Sequence, residues 1–599
     1  MTYAVGIDLG TTNSVVAFAP LGSDTPAAPT LLPVPQLVGP GTVEPRPMLP
    51  SYLYAGTAEE AAAGTLDLPW ARRRDWAVGA FARRQAADVP ARTVAATKSW
   101  LAYPRVDRRQ PILPWGAPAD VTKVSPVEAS RRFLEHLVAV WTAAVPDAPL
   151  ERQQVVLTVP ASFDASAREL TREAALGAGL PANLVLLEEP QAALYAWLAD
   201  AGARWRRRVK VGDVILVCDV GGGTTDFTLI GVAEQAGELV LRRLAVGNHT
   251  LVGGDNMDLA LAHLVREAFA ERGVHLDAWQ SVALWHACRD AKETLLGEDG
   301  PVTHPVTVLG RGTRVVGGTV SVDVDRKTVV DLLLNGFFPT CGLGERPAAR
   351  QASGFRELGL PFEADTGITR HLAAFLAGHG DLPAHEGAAR PTHVLFNGGV
   401  FKAPALRERV LEVLGGWFPG APPVALEGSP DLEYAVARGS AYYGAVKEGR
   451  GVRIRGGTAR AYYVGVETAG PAVPGLPRPV SALCVLPFGI EEGTELDVPG
   501  DPIGLMVGEP ARFRIFSSPV RKEDRPGDVV QGWREGELAE TDSMEATLGS
   551  ETNPEQAYVP VRFQSRITEL GIFELWCVST VAEDRWKLEF NVREDAEAA

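Results

Sequence analysis

Two stretches of sequence with one shared pattern decide the fold. They are residues 5–18 (VGIDLGTTNSVVAF) and residues 215–230 (ILVCDVGGGTTDFTLI). In each stretch, apolar and β-branched residues flank an aspartate and a corner of glycine and threonine, a pattern that predicts a β-hairpin. The two aspartates, Asp8 and Asp219, lie too far apart for a solenoid repeat. The pattern therefore predicts two related α/β lobes, each presenting one glycine corner to a shared cleft.

Composition excludes several classes of protein. The chain has 599 residues, 46% of them hydrophobic, which is enough for several domains with real cores. Its net charge of −16 argues against a general binder of nucleic acid or anionic membranes. The apolar runs are far shorter than the ~20 residues of a membrane helix, and the start does not resemble a signal peptide. Five scattered cysteines without CxxC spacing favour a reducing, cytoplasmic location and no zinc site.

Between the two hairpins, signals for strands and helices alternate. Strands are predicted at 155–159, 184–187 and 392–396, and helices at 126–145, 165–178 and 403–414. A capping box, Ser125 to Glu128, opens the first helix. Alternation of this kind predicts a mostly parallel sheet. Short strands are expected at 300–325, whereas residues 340–390 show no clear period. The basic run at 204–210 is interpreted as a solvated connector, with a docking patch as the alternative. Alternating apolar residues predict an antiparallel β domain over 481–599.

Glycine corners bind phosphate because the missing side chain lets backbone N–H groups point at the anion. The hydroxyls of Thr11, Thr12, Thr224 and Thr225 add donors. Asp8 and Asp219 would hold Mg²⁺, mainly through water. A single corner of this kind is usually an ordinary tight turn, but two corners and a third turn at 398–399 favour a nucleotide site. The sequence has no Walker A pattern, which makes a P-loop enzyme a poor candidate.

The same residues resemble the seventy-kilodalton heat-shock (DnaK-like) chaperones. Residues 6–16 and 219–226 are similar to the two phosphate motifs of that family, and TVPASF at 158–163, EEPQAAL at 188–194 and VGGDNMD at 252–258 follow its other segments. The resemblance covers 1–330 and 391–447. It implies the actin-like two-lobed ATPase fold, with duplicated ribonuclease-H-like lobes at 1–209 and 210–447. A linker at 448–480 and a β-rich client or partner domain at 481–599 would follow.

The resemblance also implies roles for individual residues in binding ATP or ADP with Mg²⁺ and in slow ATP hydrolysis. Lys98 would contact the γ-phosphate and the attacking water, Glu189 the metal and water, and Thr224 the γ-phosphate. The remaining nucleotide-binding residues would be Gly10, Thr11, Thr12, Asn13, Gly221, Gly222, Gly223, Thr225, Asp226, Gly253, Gly254, Arg289, Lys292, Glu293, Gly398, Gly399, Lys402 and Asp431. Pro160 and Arg168 match the proline switch of the family and its arginine. Without the family, Lys98 and Arg168 would be interpreted as exposed helix charges.

The adenosine pocket departs from the family. The family motif on this helix has a glutamate first and an arginine one turn later, whereas this chain has Arg289 and Glu293, which are spaced to pair as a surface ion pair. The usual serine is Leu296, and Lys402 replaces a second stacking arginine. Lysine stacks less well on a planar base. We expect weaker ATP affinity than is usual for the family, or a relaxed choice of base.

The client end departs as well. Residues 448–480 contain no Leu- and Asp-rich linker, and the sequence ends without a lid helix, so a lidless β module is expected to bind extended peptide by strand addition. The first hypothesis is an ATP-driven chaperone that binds an unfolded or specific client protein. A co-chaperone or an exchange factor would be a further partner. The second is a nucleotide-dependent scaffold for one fixed protein partner. A small-molecule kinase and a filament-forming actin relative remain open.

Overall fold

The computed structural model describes residues 2–22, 27–235, 238–309, 319–348, 360, 363–380, 384–385, 388–428, 431–447, 454–455, 457–458, 460–467, 480–491, 493–506, 510–534, 536–547, 558–568 and 572–590. The chain is a mixed α/β structure built on two large sheets, with a strand-rich region after them. Among these residues, no helix combines the length and the apolar character needed to cross a bilayer.

The first sheet is built on the first glycine hairpin. Its strands, in sheet order, are Val185–Glu188, Gln154–Val159, Tyr3–Leu9, Asn13–Pro20 and Thr30–Leu31, with Leu49–Pro50 also paired to Asn13–Pro20. The hairpin strands are antiparallel, and the next two strands add in parallel on the side of Tyr3–Leu9. Ile7 pairs with Leu157 in this parallel register, so the following residues, Asp8 and Thr158, emerge side by side at one edge of the sheet.

The second sheet repeats this arrangement around the second hairpin. Its strands, in sheet order, are Val424–Ala425, His393–Asn397, Val214–Val220, Thr225–Gln235, Glu238–Val246 and Ile454–Arg455. The hairpin is again antiparallel, and the next two strands are again parallel to its first strand. Asp219 pairs with Asn397 at the corresponding edge. The predicted fold class, two duplicated lobes followed by β structure, is confirmed.

Smaller elements complete the two lobes. Lobe I carries the strands Val34–Gly39, Thr42–Arg46, Leu53–Ala55, Trp76–Val78 and Thr93–Val94 and the helices Ala58–Ala63, Ala80–Asp88, Thr97–Ala102, Pro126–Ala144, Ala165–Gly177, Glu189–Ala201 and Trp205–Arg208. Lobe II carries the strands Thr303–Leu309, Thr319–Asp325, Ala384–His385 and Ala388–Ala389 and the helices Gly254–Glu271, Ala278–Leu296, Arg326–Gly336, Ile368–Ala377, Pro404–Trp417 and Ala435–Lys447. Residues 349–359 and 361–362, in the segment without a clear period, lie outside the described residues.

The predicted start of the helix Pro126–Ala144 is correct, but its capping is different. Ser125 Oγ accepts a hydrogen bond from the backbone N–H of Glu128 at 2.9 Å, as a capping serine does. The Glu128 carboxylate, however, accepts from Arg131 and Arg132 one turn later. Those arginines compete for the carboxylate, so the reciprocal half of the predicted capping box is replaced by ion pairs along the helix.

Two helices lie between the large sheets and join the lobes. Helices Glu189–Ala201 and Ala435–Lys447 cross closely at Gly439, where a Cβ atom would lie 1.7 Å from the carbonyl oxygen of Ala192. Helix Ala435–Lys447 also packs on the first sheet, because Gly6 leaves room for the carbonyl oxygen of Ala437. One buried cluster combines residues of both sheets with these helices. Movement of one lobe against the other would therefore disturb the packing of this helix pair.

The C-terminal region is antiparallel within the described residues. One sheet has the order Val529–Val530, Val480–Leu486, Ala461–Glu467, Ile515–Ser518 and Ala539–Glu540; a second contains Glu495–Asp497, Ile503–Met506, Tyr558–Ile567, Phe573–Ser579 and Arg585–Lys587; a third contains Pro510–Phe513, Met544–Thr547 and Glu589–Phe590. Strand Ala461–Glu467 belongs to this β domain, although it lies in the stretch predicted as a linker. The rest of that stretch is described only in part, and the acidic tail after 590 lies outside the described residues.

Candidate active site

The two glycine corners face each other across the space between the lobes. A Cβ atom on Gly222 would lie 1.9 Å from Thr12 Oγ1, and one on Gly223 would lie 2.8 Å from Thr11 Cγ2. Any side chain at these two positions would therefore collide with the opposite corner. The absence of side chains at these positions is what allows the two corners to approach each other so closely.

A cavity of about 400 Å³ opens between the corners. The predicted site residues on its wall are Asp8, Gly10, Thr11, Thr12, Asn13, Lys98, Glu189, Asp219, Gly221, Gly222, Thr224, Asp226, Gly254, Arg289, Lys292, Glu293, Gly398, Gly399 and Lys402. Four other predicted residues stand behind or beside the wall. Thr225 is buried and donates to the carbonyl oxygen of Val252, Gly253 packs against the carbonyls of the second corner, Gly223 packs on Thr11, and Asp431 precedes wall residues Leu432 and Glu433.

Two aspartates occupy the floor of the cavity at the ends of equivalent strands. Thr158 Oγ1 donates to Asp8 Oδ1 at 3.0 Å, and Asn397 Nδ2 donates to Asp219 Oδ2 at 2.8 Å. Burial raises the pKa of Asp8 and raises that of Asp219 to about 7. Sequence reasoning did not assign Thr158 or Asn397 to the site, although each lies in a strand that is parallel to an aspartate strand.

Lys98 is buried and pairs with Glu189 across the cavity. Only 8% of its side chain is exposed, so the interpretation as an exposed helix charge is wrong, and its Nζ donates to Glu189 Oε1. Burial opposes its positive charge, but attraction to Glu189 and Asp8 raises the pKa of Lys98. Burial and the neighbouring aspartates raise the pKa of Glu189 to about 8. One cation thus faces several carboxyl groups, so full ionisation of all of them would leave an excess of negative charge.

This donor set fits Mg²⁺ and a phosphate group. Two carboxylates, completed by water and phosphate oxygens, are a set that Mg²⁺ accepts, and the excess negative charge calls for a cation. Thr12 Oγ1 is buried and has no hydrogen-bond partner among the described residues, so it is available as a phosphate donor. Among all the residues that the structure describes, no three or more His, Cys, Asp or Glu side chains are grouped so that they could hold a metal ion.

The cations predicted to contact the nucleoside are already engaged in ion pairs. Arg289 is 5% exposed and donates to Asp258 at 2.7 Å, to Asp255, and to the hydroxyl of Tyr52 at 3.3 Å. It is therefore not the surface partner of Glu293 that the i,i+4 spacing suggested. The acids of the neighbouring helix Gly254–Glu271 reach Arg289 because the two helices pack side by side. Attraction to these acids overcomes burial and raises the pKa of Arg289.

The two lysines among these cations are engaged in the same way. Lys292 lies 2.6 Å from Asp258 and donates to the carbonyl oxygen of Gly254, while Lys402 pairs with Glu433. Apolar side chains line the same cavity: Leu296, Leu333, Val400, Leu406 and Leu432. Either lysine would have to leave its ion pair before it could stack on a planar ligand in this cavity.

Arg168, the predicted partner of the proline switch, is also not a surface charge. It is 13% exposed, donates to the carbonyl oxygen of Phe163 at 3.1 Å, and contacts Glu188 at 2.7 Å. Arg243 of lobe II binds the same carboxylate and also donates to the carbonyl oxygen of Gly457, just ahead of the β domain. Burial opposes the charge on Glu188, but the two arginines lower its pKa. The loop behind the phosphate site is thus tied to the start of the β domain.

The chain is similar to known chaperones. The Hsp70 protein family model matches residues 70–306. The chaperone protein HscA of Enterobacter sp. (strain 638) is 34% identical over 276 residues, which is 44% of this chain and 38% of that protein. HscA of Serratia proteamaculans (strain 568) is 34% identical over 323 residues, or 50% of this chain and 45% of that protein. The HscA homolog of Photobacterium profundum is 33% identical over 308 residues, or 49% of this chain and 42% of that protein. The chain thus matches less than half the length of these relatives.

Proposed function

We propose that this chain is a cytoplasmic, ATP-hydrolysing, DnaK-like chaperone that uses ATP and ADP with Mg²⁺, since its residues 70–306 match the Hsp70 family model and its relatives include the chaperone HscA. One observation carries the proposal. Two glycine corners that touch, with an aspartate behind each, enclose one cavity that also contains the buried pair of Lys98 and Glu189. The apolar side chains that also line this cavity would accommodate a nucleoside.

The residues of the cavity would promote hydrolysis by positioning and electrostatics. Phosphoryl transfer to water needs neutralisation of charge on the γ-phosphate oxygens rather than covalent help. Bound Mg²⁺ would neutralise part of this charge. Lys98 Nζ and the backbone N–H groups of the corners would donate to the same oxygens, while Glu189 would orient the attacking water and accept its proton.

The β domain would respond to the nucleotide through the loop behind the phosphate site. Thr158 lies beside Asp8, and the chain continues from it through Pro160 to Arg168, which shares Glu188 with Arg243. Arg243 also holds the carbonyl oxygen of Gly457. A shift of the phosphate-site strands on hydrolysis would therefore be transmitted to the β domain, which would bind an unfolded or specific client.

Steady-state ATPase assays test this proposal. Purified protein should hydrolyse ATP only with Mg²⁺, and denatured protein or an apolar peptide should change the rate. K98A should bind ATP but turn over about 10²-fold more slowly, the scale of losing one preorganised donor. K327A is the matched control, because Lys327 is an exposed lysine of helix Arg326–Gly336. Equal rates for K98A and wild type would remove Lys98 from the mechanism.

The scaffold hypothesis keeps one observation in its favour. The edge strands of the five-stranded sheet in the β domain, Val529–Val530 and Ala539–Glu540, are only two residues long. Short edges leave little backbone for the addition of a peptide strand. A Mg²⁺-dependent ATPase that ignores every unfolded peptide, but responds to one native protein, would favour a fixed partner over a general client.

The altered nucleoside end bears on the choice of nucleotide. Lys402 must leave Glu433, and Arg289 must leave two carboxylates, before either can contact a base. We therefore expect ATP affinity below that usual for the family, and weak discrimination between bases. Calorimetric titration with ATP and with GTP measures both quantities. Tight binding of ATP together with rejection of GTP would contradict this expectation.

A further inference from the structure

Three polar side chains meet beside the cavity, and one of them, His249, lies outside the motifs that the sequence singled out. Ser162, in the turn before helix Ala165–Gly177 of lobe I, donates from Oγ to Asp226 Oδ1 at 2.7 Å. The Nδ1 atom of His249, in the connection before helix Gly254–Glu271 of lobe II, lies 3.0 Å from the same hydroxyl and 3.5 Å from Asp226 Oδ1. Asp226 also lines the cavity. This junction therefore joins both lobes to the site.

The hydrogen-bond inventory assigns the proton positions. An ionised carboxylate only accepts, so the single hydroxyl proton of Ser162 points to Asp226. The hydroxyl oxygen is then left to accept from His249, which places a proton on Nδ1. Burial opposes the charge on Asp226, but His249 and the two hydrogen bonds lower its pKa. The Nε2 atom of His249 is buried and has no hydrogen-bond partner among the described residues. The imidazole ring of His249 also makes an edge-to-face contact with the ring of Phe163, which restricts its orientation.

The junction continues into the β domain through the backbone of Ser162. Arg460, which immediately precedes strand Ala461–Glu467, donates to the carbonyl oxygen of Ser162 at 3.4 Å and to Ser517 Oγ at 3.3 Å. Beside it, Ala161 and Val246 form a small buried contact between the lobes. One residue, Ser162, thus meets a cavity carboxylate with its side chain and the β domain with its carbonyl group.

From this geometry we propose that His249 is a positioning residue that holds Asp226 and Ser162 in the arrangement needed for both ATP hydrolysis and docking of the β domain. The inference rests on the proposed function. His249 does not itself line the cavity; it lies behind Asp226 and acts by fixing the Ser162 hydroxyl that holds Asp226. Without its N–H donor, the hydroxyl can rotate away from the carboxylate, and the loop loses its connection to lobe II.

Two substitutions of His249 separate a positioning role from a structural one. Asn can place an N–H near the position of Nδ1, whereas Leu fills similar space without a donor. H249L should lower kcat about tenfold, the scale of one hydrogen bond in a charged network, with a smaller change in KM, and H249N should restore most of the loss. H263L is the matched control, because His263 is an exposed residue of helix Gly254–Glu271.

A second measurement reports the distance between lobe I and the β domain. Spin labels at D120C and E583C, two exposed positions of lobe I and the β domain, report the interdomain distance with ADP and with ATP. The change of distance on ATP binding seen in the wild type should be lost in H249L and kept in H249N and H263L. If the wild type hydrolyses ATP and H249L matches it in kcat and in distance change, this inference is overturned while the proposed function stands. A wild type without Mg²⁺-dependent ATPase would refute both.

Discussion

A buried ion pair between Arg108 and Asp542 gives the sharpest prediction about how the β domain is held. Arg108 lies in lobe I and is 0% exposed; Asp542 lies in the β domain and is 8% exposed. Arg108 also donates to Ser166 Oγ at 3.1 Å and to a backbone carbonyl oxygen at 3.3 Å. Removing one partner of such a pair costs roughly 3–5 kcal/mol, because it leaves an uncompensated charge in a dry interface.

D542A should therefore shift the docking equilibrium of the β domain by roughly a hundredfold to several thousandfold. Hydrogen exchange followed by mass spectrometry measures this shift at the first turn of helix Ala165–Gly177, which the β domain covers. E173A is the matched control, since its ion pair with Arg109 is 41–42% exposed and should contribute about 1 kcal/mol or less.

The double variant R108M/D542L tests whether charge or shape holds the interface. Apolar side chains of similar volume often replace a buried ion pair without loss, so docking should recover to within a few fold of wild type. Exchange in D542A that matches E173A would refute the reasoning. Such a result would mean that water reaches Arg108 in the intact protein, so that no buried charge is created.

Three further predictions concern separate features. Burial lowers the pKa of His136 to about 3, so below pH 6.5 the unfolded chain takes up a proton that the folded chain does not. The free energy of unfolding should therefore decrease as the pH falls, by about 1.4 kcal/mol between neutral pH and pH 5.5. Urea unfolding of H136Q should lack this contribution to the pH dependence. G222A should abolish Mg²⁺-dependent nucleotide binding in calorimetry, because a methyl group would sit 1.9 Å from the opposite corner, whereas G336A, with nothing within 4 Å, should bind normally. Y52F removes a hydrogen bond from Arg289 across the cleft and should speed nucleotide release about three- to tenfold in stopped flow; an unchanged rate would contradict a closing role.

Local patterns predicted the elements of this chain well, because their causes are local. The alternation of apolar residues identified strand Gln154–Val159 and helix Ala165–Gly177 to within one residue at each end. The glycine corners were predicted as turns because apolar, β-branched residues flank each of them, and both hairpins are present. The capping of helix Pro126–Ala144 was half correct, since the partners of Glu128 depended on which arginine side chains turned toward it.

Some residues of the candidate site were identified from the sequence, and others were missed. Asp8 and Asp219 lie in the same motif, and both line one cavity. They occupy equivalent positions because the two sheets have equivalent strand orders. The contact of Asn397 with Asp219 was missed, since it requires the parallel pairing of strands 178 residues apart. His249 was missed because its partner Ser162 lies 87 residues away, in the other lobe.

The amino-acid sequence by itself determined the two hairpins, the residue types at the phosphate site and the strand-rich character of the C-terminal region. Tertiary structure alone decided the partners of the buried charges: Arg289 with Asp255 and Asp258, and Arg108 with Asp542. The physical reason is the range of the interactions. Turn and strand preferences act between neighbours in the chain, whereas a buried charge is stabilised by whichever opposite charge the packing of distant elements brings within a few ångströms.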